Sequence, residues 1–152
     1  MKEMTIKDAL RVAINEEVKA YNLYKKTSEK VKNEGSRQML TELANEEMKH
    51  RKILEEIVTS EDYKALGNKI DHNRMGIAEF LDPTELKASA SPQEVLIFAI
   101  KEEEKALNFY NTMKADFAGT DLEEVFGRLA TEEFGHKQKL EREYEDQILK
   151  EN

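Results

Sequence analysis

The 152-residue chain contains no cysteine and no tryptophan, only two prolines and only six glycines. Without cysteine it has no disulfide, no thiolate-ligated zinc, no iron–sulfur cluster and no thiol nucleophile. No run of about 18 apolar residues occurs, so no membrane-spanning helix is expected. The first residues, Met1-Lys2-Glu3-Met4-Thr5, lack the apolar stretch of a signal peptide, and a cytoplasmic location is expected by default. Basic residues are in deficit, 24 against 32 acidic, which gives a net charge of −8. Such a chain repels phosphate backbones, which argues against nucleic acid as a main partner. What remains is 39% hydrophobic and 37% charged, with the two classes interleaved. That is enough apolar residue to build a core, and the length favours one domain spanning 1–152.

The chain repeats itself. Residues 5–58 align without gaps on 91–144, an offset of 86, with about 16 of 54 positions identical. The identities fall in two clusters. Ala13-Ile14-Asn15-Glu16-Glu17 through Tyr24 matches Ala99-Ile100-Lys101-Glu102-Glu103 through Tyr110. Leu43-Ala44-Asn45-Glu46-Glu47-Met48-Lys49-His50 matches Leu129-Ala130-Thr131-Glu132-Glu133-Phe134-Gly135-His136. Stacked arrays use many copies; here there are only two, each about 55 residues long, and each reads as a pair of helices.

Thr5-Ile6-Lys7-Asp8 and Ser91-Pro92-Gln93-Glu94 both carry a hydroxyl followed three residues later by an acid, the pattern of a capping box. Pro92 falls at the first helical position, where a missing N–H costs nothing. Breaks follow at Asn33-Glu34-Gly35-Ser36 and Ala118-Gly119-Thr120-Asp121, with Ser36 and Thr120 as the expected caps of the second helices. Apolar residues recur with a period near 3.6, and no useful period-2 stretch appears. The expected helices are 6–32, 37–59, 92–117 and 121–149. Residues 60–91, with Gly67, Gly76 and Pro83, are too long for a tight turn and suit a crossover along a bundle, with a short helix over Ile77 to Leu81. The expectation is an all-α four-helix bundle made of two hairpins, about 5–59 and 92–149.

Four acids stand where apolar residues belong. At about 100° per residue, Glu17 falls mid-stripe among Ala13, Ile14, Ala20, Tyr21 and Tyr24. Glu47 lies on the stripe of Leu40, Leu43, Ala44 and Leu54, with His50 beside it. Glu103 and Glu133 are centred on the third and fourth helices, with His136 flanking Glu133. The four also share one level, because the midpoint of Glu17 and Glu47 is residue 32 and that of Glu103 and Glu133 is residue 118, both at the loops. Desolvating a carboxylate costs several kcal/mol, and four together repel. No Lys or Arg lies centrally on the stripes. Two divalent cations would balance the charge, and neutral histidine is a common ligand. Glu-x-x-His places both side chains on one helix face. Carboxylates with histidine suit iron or manganese better than zinc.

A single Glu-x-x-His arises often by chance in helices this acidic. Both copies, in phase and with both partner glutamates, form a far more specific pattern. On Glu17-x-x-Ala20-x-x-x-Tyr24, Glu47-x-x-His50, Glu103-x-x-Ala106-x-x-x-Tyr110 and Glu133-x-x-His136, the chain resembles the ferritin-like di-iron carboxylate superfamily and, within it, the rubrerythrin-like group. The resemblance covers both hairpins. It implies a ferritin-like bundle with a Glu4His2 site for two iron ions, manganese or a mixed pair being alternatives. Glu47 and Glu133 would bridge the metals. Glu17 and His50 would complete one position, Glu103 and His136 the other. Tyr24 and Tyr110 would orient carboxylates by donating to them, or serve simply as core packing. Full-length rubrerythrins carry a rubredoxin domain with four cysteines; this chain has none, so electrons would come from a separate donor protein. Typical rubrerythrins also carry an additional carboxylate ligand in the third helix. Ala106 supplies none, which makes the expected site more symmetric and puts in question the ligand switching associated with peroxide reduction in that family.

Other repeated or isolated residues read more plainly. Glu16, Glu46, Glu102 and Glu132 fall at stripe edges and are expected to be solvated. His72 is expected to be an exposed crossover residue, and Gly127 and Gly135 each cost the fourth helix about 1 kcal/mol relative to Ala. The functional expectation, by resemblance, is a non-haem di-iron oxidoreductase that reduces hydrogen peroxide or O2, with no catalytic residue beyond the metal ligands. The rivals are a ferroxidase or iron-handling protein, a di-manganese catalase-like enzyme, and a metal-stabilised scaffold without turnover. The resemblance also implies a homodimer, in some relatives with exchanged hairpins, which the long crossover permits.

Overall fold

The computed structural model describes residues 3–60, 69–71 and 86–151. Helix α1 (Ile6–Lys30) and helix α2 (Glu34–Ser60) form one hairpin; α3 (Pro92–Asp116) and α4 (Asp121–Glu151) form the other. The result is an all-α four-helix bundle of two hairpins. None of the described helices is long and apolar enough to cross a membrane.

The helix starts follow from side-chain chemistry. Both expected capping boxes are present. The Asp8 N–H donates to Thr5 Oγ1 at 3.0 Å and the Glu94 N–H to Ser91 Oγ at 3.1 Å. In return, the Thr5 and Ser91 N–H groups donate to the carboxylates of Asp8 and Glu94. Each box satisfies two of the orphan donors of a helix start. Thr120 caps α4, accepting from the Leu122 N–H at 3.2 Å. The start of α2 differs from expectation. Asn33, not Ser36, is the cap, since its Oδ1 accepts the Ser36 N–H at 2.8 Å. The amide oxygen of Asn33 takes up the Ser36 N–H itself, an orphan donor of the first turn, so the helix begins a turn sooner.

A second difference is a two-stranded antiparallel ribbon, β1 (Glu3–Thr5) with β2 (Lys69–Asp71), in register Glu3↔Asp71, Met4↔Ile70 and Thr5↔Lys69. Three residues per strand give a single alternation, too short for a period-2 signal. The ribbon ties the start of α1 to the connection between hairpins. The expected short helix at Ile77 to Leu81, the crossover residues Gly67, Gly76 and Pro83, and His72 all lie outside the described residues.

The interior is layered along the bundle axis. At one end Ile6, Leu10, Leu54, Met113, Phe117, Leu122 and Phe126 pack together. At the other, Tyr24, Leu40, Leu43, Val95, Leu96, Phe98 and Leu140 form a second apolar cluster. Each cluster draws on all four helices. The charged side chains occupy the layer between them. Two dry plugs therefore close off a polar slab from above and below.

Candidate metal centre

All four stripe glutamates point into that slab: Glu17 is 2% exposed, Glu47 and Glu103 1%, and Glu133 0%. His50 is fully buried beside them, and His136 keeps 21% of its side chain exposed. The i,i+3 spacing on α2 and α4 does this, setting Glu47 with His50, and Glu133 with His136, on one face. The expected level is also met, so the six side chains meet at the bundle's middle.

Their ligating atoms form two groups. One oxygen or nitrogen from each of Glu17, Glu47, His50 and Glu133 lies within 4.8 Å of the others, and the same holds for Glu47, Glu103, Glu133 and His136. Glu47 and Glu133 belong to both. His50 Nδ1 stands 2.9 Å from Glu133 Oε1 and 3.3 Å from Glu17 Oε2; His136 Nδ1 stands 3.3 Å from Glu103 Oε1. These atoms approach without making hydrogen bonds. Both oxygens of Glu47, Glu103 and Glu133, one oxygen of Glu17 and the Nδ1 of each histidine have no hydrogen-bond partner. Buried polar atoms left unpaired in such number are abnormal for a folded protein. They are the normal state of ligands arranged around a cation.

The charge balance points the same way. Among the described residues no Lys or Arg pairs with any of the four glutamates; the ion-pair partners of Glu17, Glu133 and Glu103 are the two histidines. Burial pushes Glu133 up to about 8, with the Glu103 carboxylate adding to the rise. Burial likewise lifts Glu103 to about 7. Glu47 is held well above the ordinary carboxylate range by burial, then by the charges of Glu133, Glu17 and Glu103. Burial alone would lower His50, but its contacts with Glu133 and Glu17 carry it up to about 11. In the metal-free protein the imidazolium of His50 and protons on the carboxylates do the neutralising that metal ions would otherwise do. The residues therefore fit a pair of hard or borderline divalent cations: oxygen-rich, anionic, with one imidazole per group.

Around this set the two tyrosines behave differently. Tyr110 donates from α3 across to Glu17 Oε1 at 2.7 Å, whereas the buried Tyr24 hydroxyl has no hydrogen-bond partner. Three of the four edge glutamates are less solvated than expected. Glu16 and Glu102 keep only 15% and 14% of their side chains exposed, against Lys19 and Lys105 respectively; burial raises Glu16 to about 7. Glu46 and Glu132 stand next to histidines: Glu132 Oε1 is 3.4 Å from His50 Nε2, and Glu46 Oε2 is 3.8 Å from His136 Nε2. These contacts were not legible from helix faces, because each crosses between hairpins. The one available signal was the recurrence of both residues at the repeat's offset of 86.

Comparison with known proteins places the fold. A Thermotoga maritima protein described as a ferritin-like diiron-carboxylate protein superposes with a TM-score of 0.67 at 20% identity, over 97% of this chain and 99% of that one. A hypothetical protein from Pyrococcus furiosus superposes with a TM-score of 0.61 at 24% identity, over 91% of this chain and 87% of that one. At these identities the likeness shows the shared fold. Among curated proteins none matches the chain. The sequence model of the rubrerythrin family matches residues 8–87 and 94–152, nearly the whole length, and the chain belongs to the rubrerythrin family.

Proposed function

We infer that this protein is a non-haem di-iron oxidoreductase that reduces hydrogen peroxide or O2, drawing electrons from a separate donor protein. The observation that supports this most is the sharing of Glu47 and Glu133 between two four-residue groups, which suits a closely spaced pair of ions with bridging carboxylates. A bound iron pair would supply two electrons to the oxidant. The chain's own part is to hold and insulate. Glu17 with His50, and Glu103 with His136, would each hold one ion. Tyr110 keeps Glu17 in one orientation. The apolar clusters above and below exclude water and bulky reductants from the layer. His136, the more exposed of the two histidines, marks the side from which a small oxidant would enter.

The test is to mix the anaerobic di-ferrous protein with stoichiometric hydrogen peroxide, and separately with O2, and follow the near-UV absorbance of the oxidised pair. Oxidation by peroxide faster than that of free Fe(II) in the same buffer is expected. Oxidation no faster than the free ion would end the oxidoreductase reading. Uptake of iron well beyond two ions per chain during aerobic loading would instead identify an iron-handling protein, for which Fe(II) is the substrate.

A further inference from the structure

The outer nitrogens of the two histidines are held crosswise. His50, on α2, turns Nδ1 inward to Glu17 and Glu133, and its Nε2 outward to Glu132 on α4 at 3.4 Å. His136, on α4, turns Nδ1 inward to Glu103, and its Nε2 toward Glu46 on α2 at 3.8 Å. The two imidazole rings lie nearly parallel, at 8°, with centroids 6.2 Å apart. Each hairpin thus provides a histidine to the layer and a carboxylate to the other hairpin's histidine. An ionised carboxylate can only accept, so a ring nitrogen bonded to one must carry the proton. With Nε2 as donor, the lone pair of a neutral ring is left on Nδ1, the nitrogen that faces the carboxylate groups.

We propose that Glu132 is a positioning residue of the metal centre, fixing the tautomer and ring orientation of His50, with Glu46 as its weaker counterpart on His136. The proposal rests on the metal-centre reading above. Three observations favour Glu132 as the stronger member. Its contact is the shorter, His50 is fully buried with no water to replace it, and Glu46 is also drawn off by Lys49 at 3.0 Å. Histidine ligands generally depend on such outer partners, and losing one typically weakens metal binding about 10–100-fold. Glu132 also lies in an α2–α4 cleft of about 380 Å³ with Ile53, Ile57, Val125 and Leu129, and keeps 43% of its side chain exposed. Its truncation therefore opens no core cavity, and E132A should fold.

The experiment titrates metal-free wild type, E132A, E132Q and E46A with Co(II), following visible absorbance and heat. Wild type should take two ions. E132A should bind one of the two roughly 10–100-fold more weakly. E132Q, whose amide oxygen still accepts from Nε2–H, should recover most of that loss, and E46A should lose less than E132A. Metal-free E132A should still melt cooperatively, somewhat below wild type because the buried His50 Nε2–H loses its acceptor, and E132Q should melt near wild type. A wild type that takes fewer than two ions would defeat the metal-centre reading itself. Two ions bound by wild type and by E132A with equal affinity would overturn only the positioning role, as would an E132Q as weak as E132A. A second measurement needs no variant: nitrogen NMR of Zn(II)-loaded protein labelled at histidine. It should show a slowly exchanging Nε2–H on His50, and a proton on Nδ1 would overturn the proposal.

Discussion

The phenol of Tyr110 donates to Glu17 across the seam between hairpins at 2.7 Å, both groups fully enclosed, while its repeat counterpart Tyr24 finds no acceptor among the described residues. The repeat is thus symmetric in its chain positions but not in its bonds. Removing the Tyr110 hydroxyl would leave a buried carboxylate oxygen unsatisfied, a loss of about 1–3 kcal/mol. Removing the Tyr24 hydroxyl takes away a buried group that is already unpaired, which is neutral or stabilising. Tyr110→Phe should therefore unfold at clearly lower denaturant than wild type, and Tyr24→Phe at the same or higher. No loss in either variant would show that the tyrosines act only as packing, and a loss at Tyr24→Phe equal to that at Tyr110→Phe would show that the asymmetry of their bonds is not real.

Stability of the metal-free protein should fall as pH rises. Glu103 and Glu133 carry folded values of about 7 and about 8 against an ordinary 4.5, with Glu47 higher still. The folded chain holds protons there that the unfolded chain has already released, so each added pH unit between 4.5 and about 8 favours unfolding. His50 acts in the same direction. Its contribution is full below 6.5, the unfolded value, and is lost as pH rises toward about 11. Bound metal needs these same groups deprotonated and tightens with pH. Thermal melts from about pH 5 to about pH 9 should slope downward with chelator present and lose that slope with Co(II) added. A melting temperature that climbs with pH in chelator would mean that the buried carboxylates are charged without metal.

The bundle was legible because its physics is local. Thr5 with Asp8 and Ser91 with Glu94 announce two helix starts within four residues each, and the stripe phase of Glu17, Glu47, Glu103 and Glu133 follows from 3.6 residues per turn alone. Even the common level of the acids follows from counting back to the loops. What was not legible depends on contacts between hairpins. Glu132 sits about 100° off its own stripe, which on one helix reads as solvent. Only the packing of α4 against α2 turns that edge onto His50. Likewise nothing local distinguishes Tyr110 from Tyr24. The start of α2 differs because Asn33 and Ser36 are both good caps three residues apart, each suited to the N–H groups that follow it, and a sequence alone does not rank them.

Gly135 and Gly119 should respond to alanine in opposite directions. A Cβ added at Gly135, in the exposed middle of α4, meets nothing within 4 Å, so its absence relieves no crowding. Alanine there should stabilise by about 1 kcal/mol through helix propensity. At Gly127 the added carbon would meet the aliphatic carbons of Lys114 at ordinary contact distance. Gly119 has φ of 85°, the left-handed region, and alanine there should destabilise by about 1–2 kcal/mol. Denaturant melts of the two variants check this, and a destabilised Gly135→Ala would mean that this glycine has a role the packing does not reveal.

Because Glu47 and Glu133 are common to both ligand groups while Glu17 and Glu103 each belong to one, losses at the four positions should not be equivalent. Glu133→Ala strips an oxygen donor from both ion positions and leaves His50 and Glu103 facing a gap. Glu17→Ala strips one position only. Metal equivalents per chain after Co(II) loading and desalting should be near two for wild type, near one for Glu17→Ala and Glu103→Ala, and near zero for Glu47→Ala and Glu133→Ala. The stabilisation gained on loading should follow the same order, since a ligand held at 100 times its dissociation constant adds about 2.7 kcal/mol per site. Should Glu133→Ala retain two ions, or Glu17→Ala lose both as completely as Glu133→Ala, the two positions are not built around shared carboxylates.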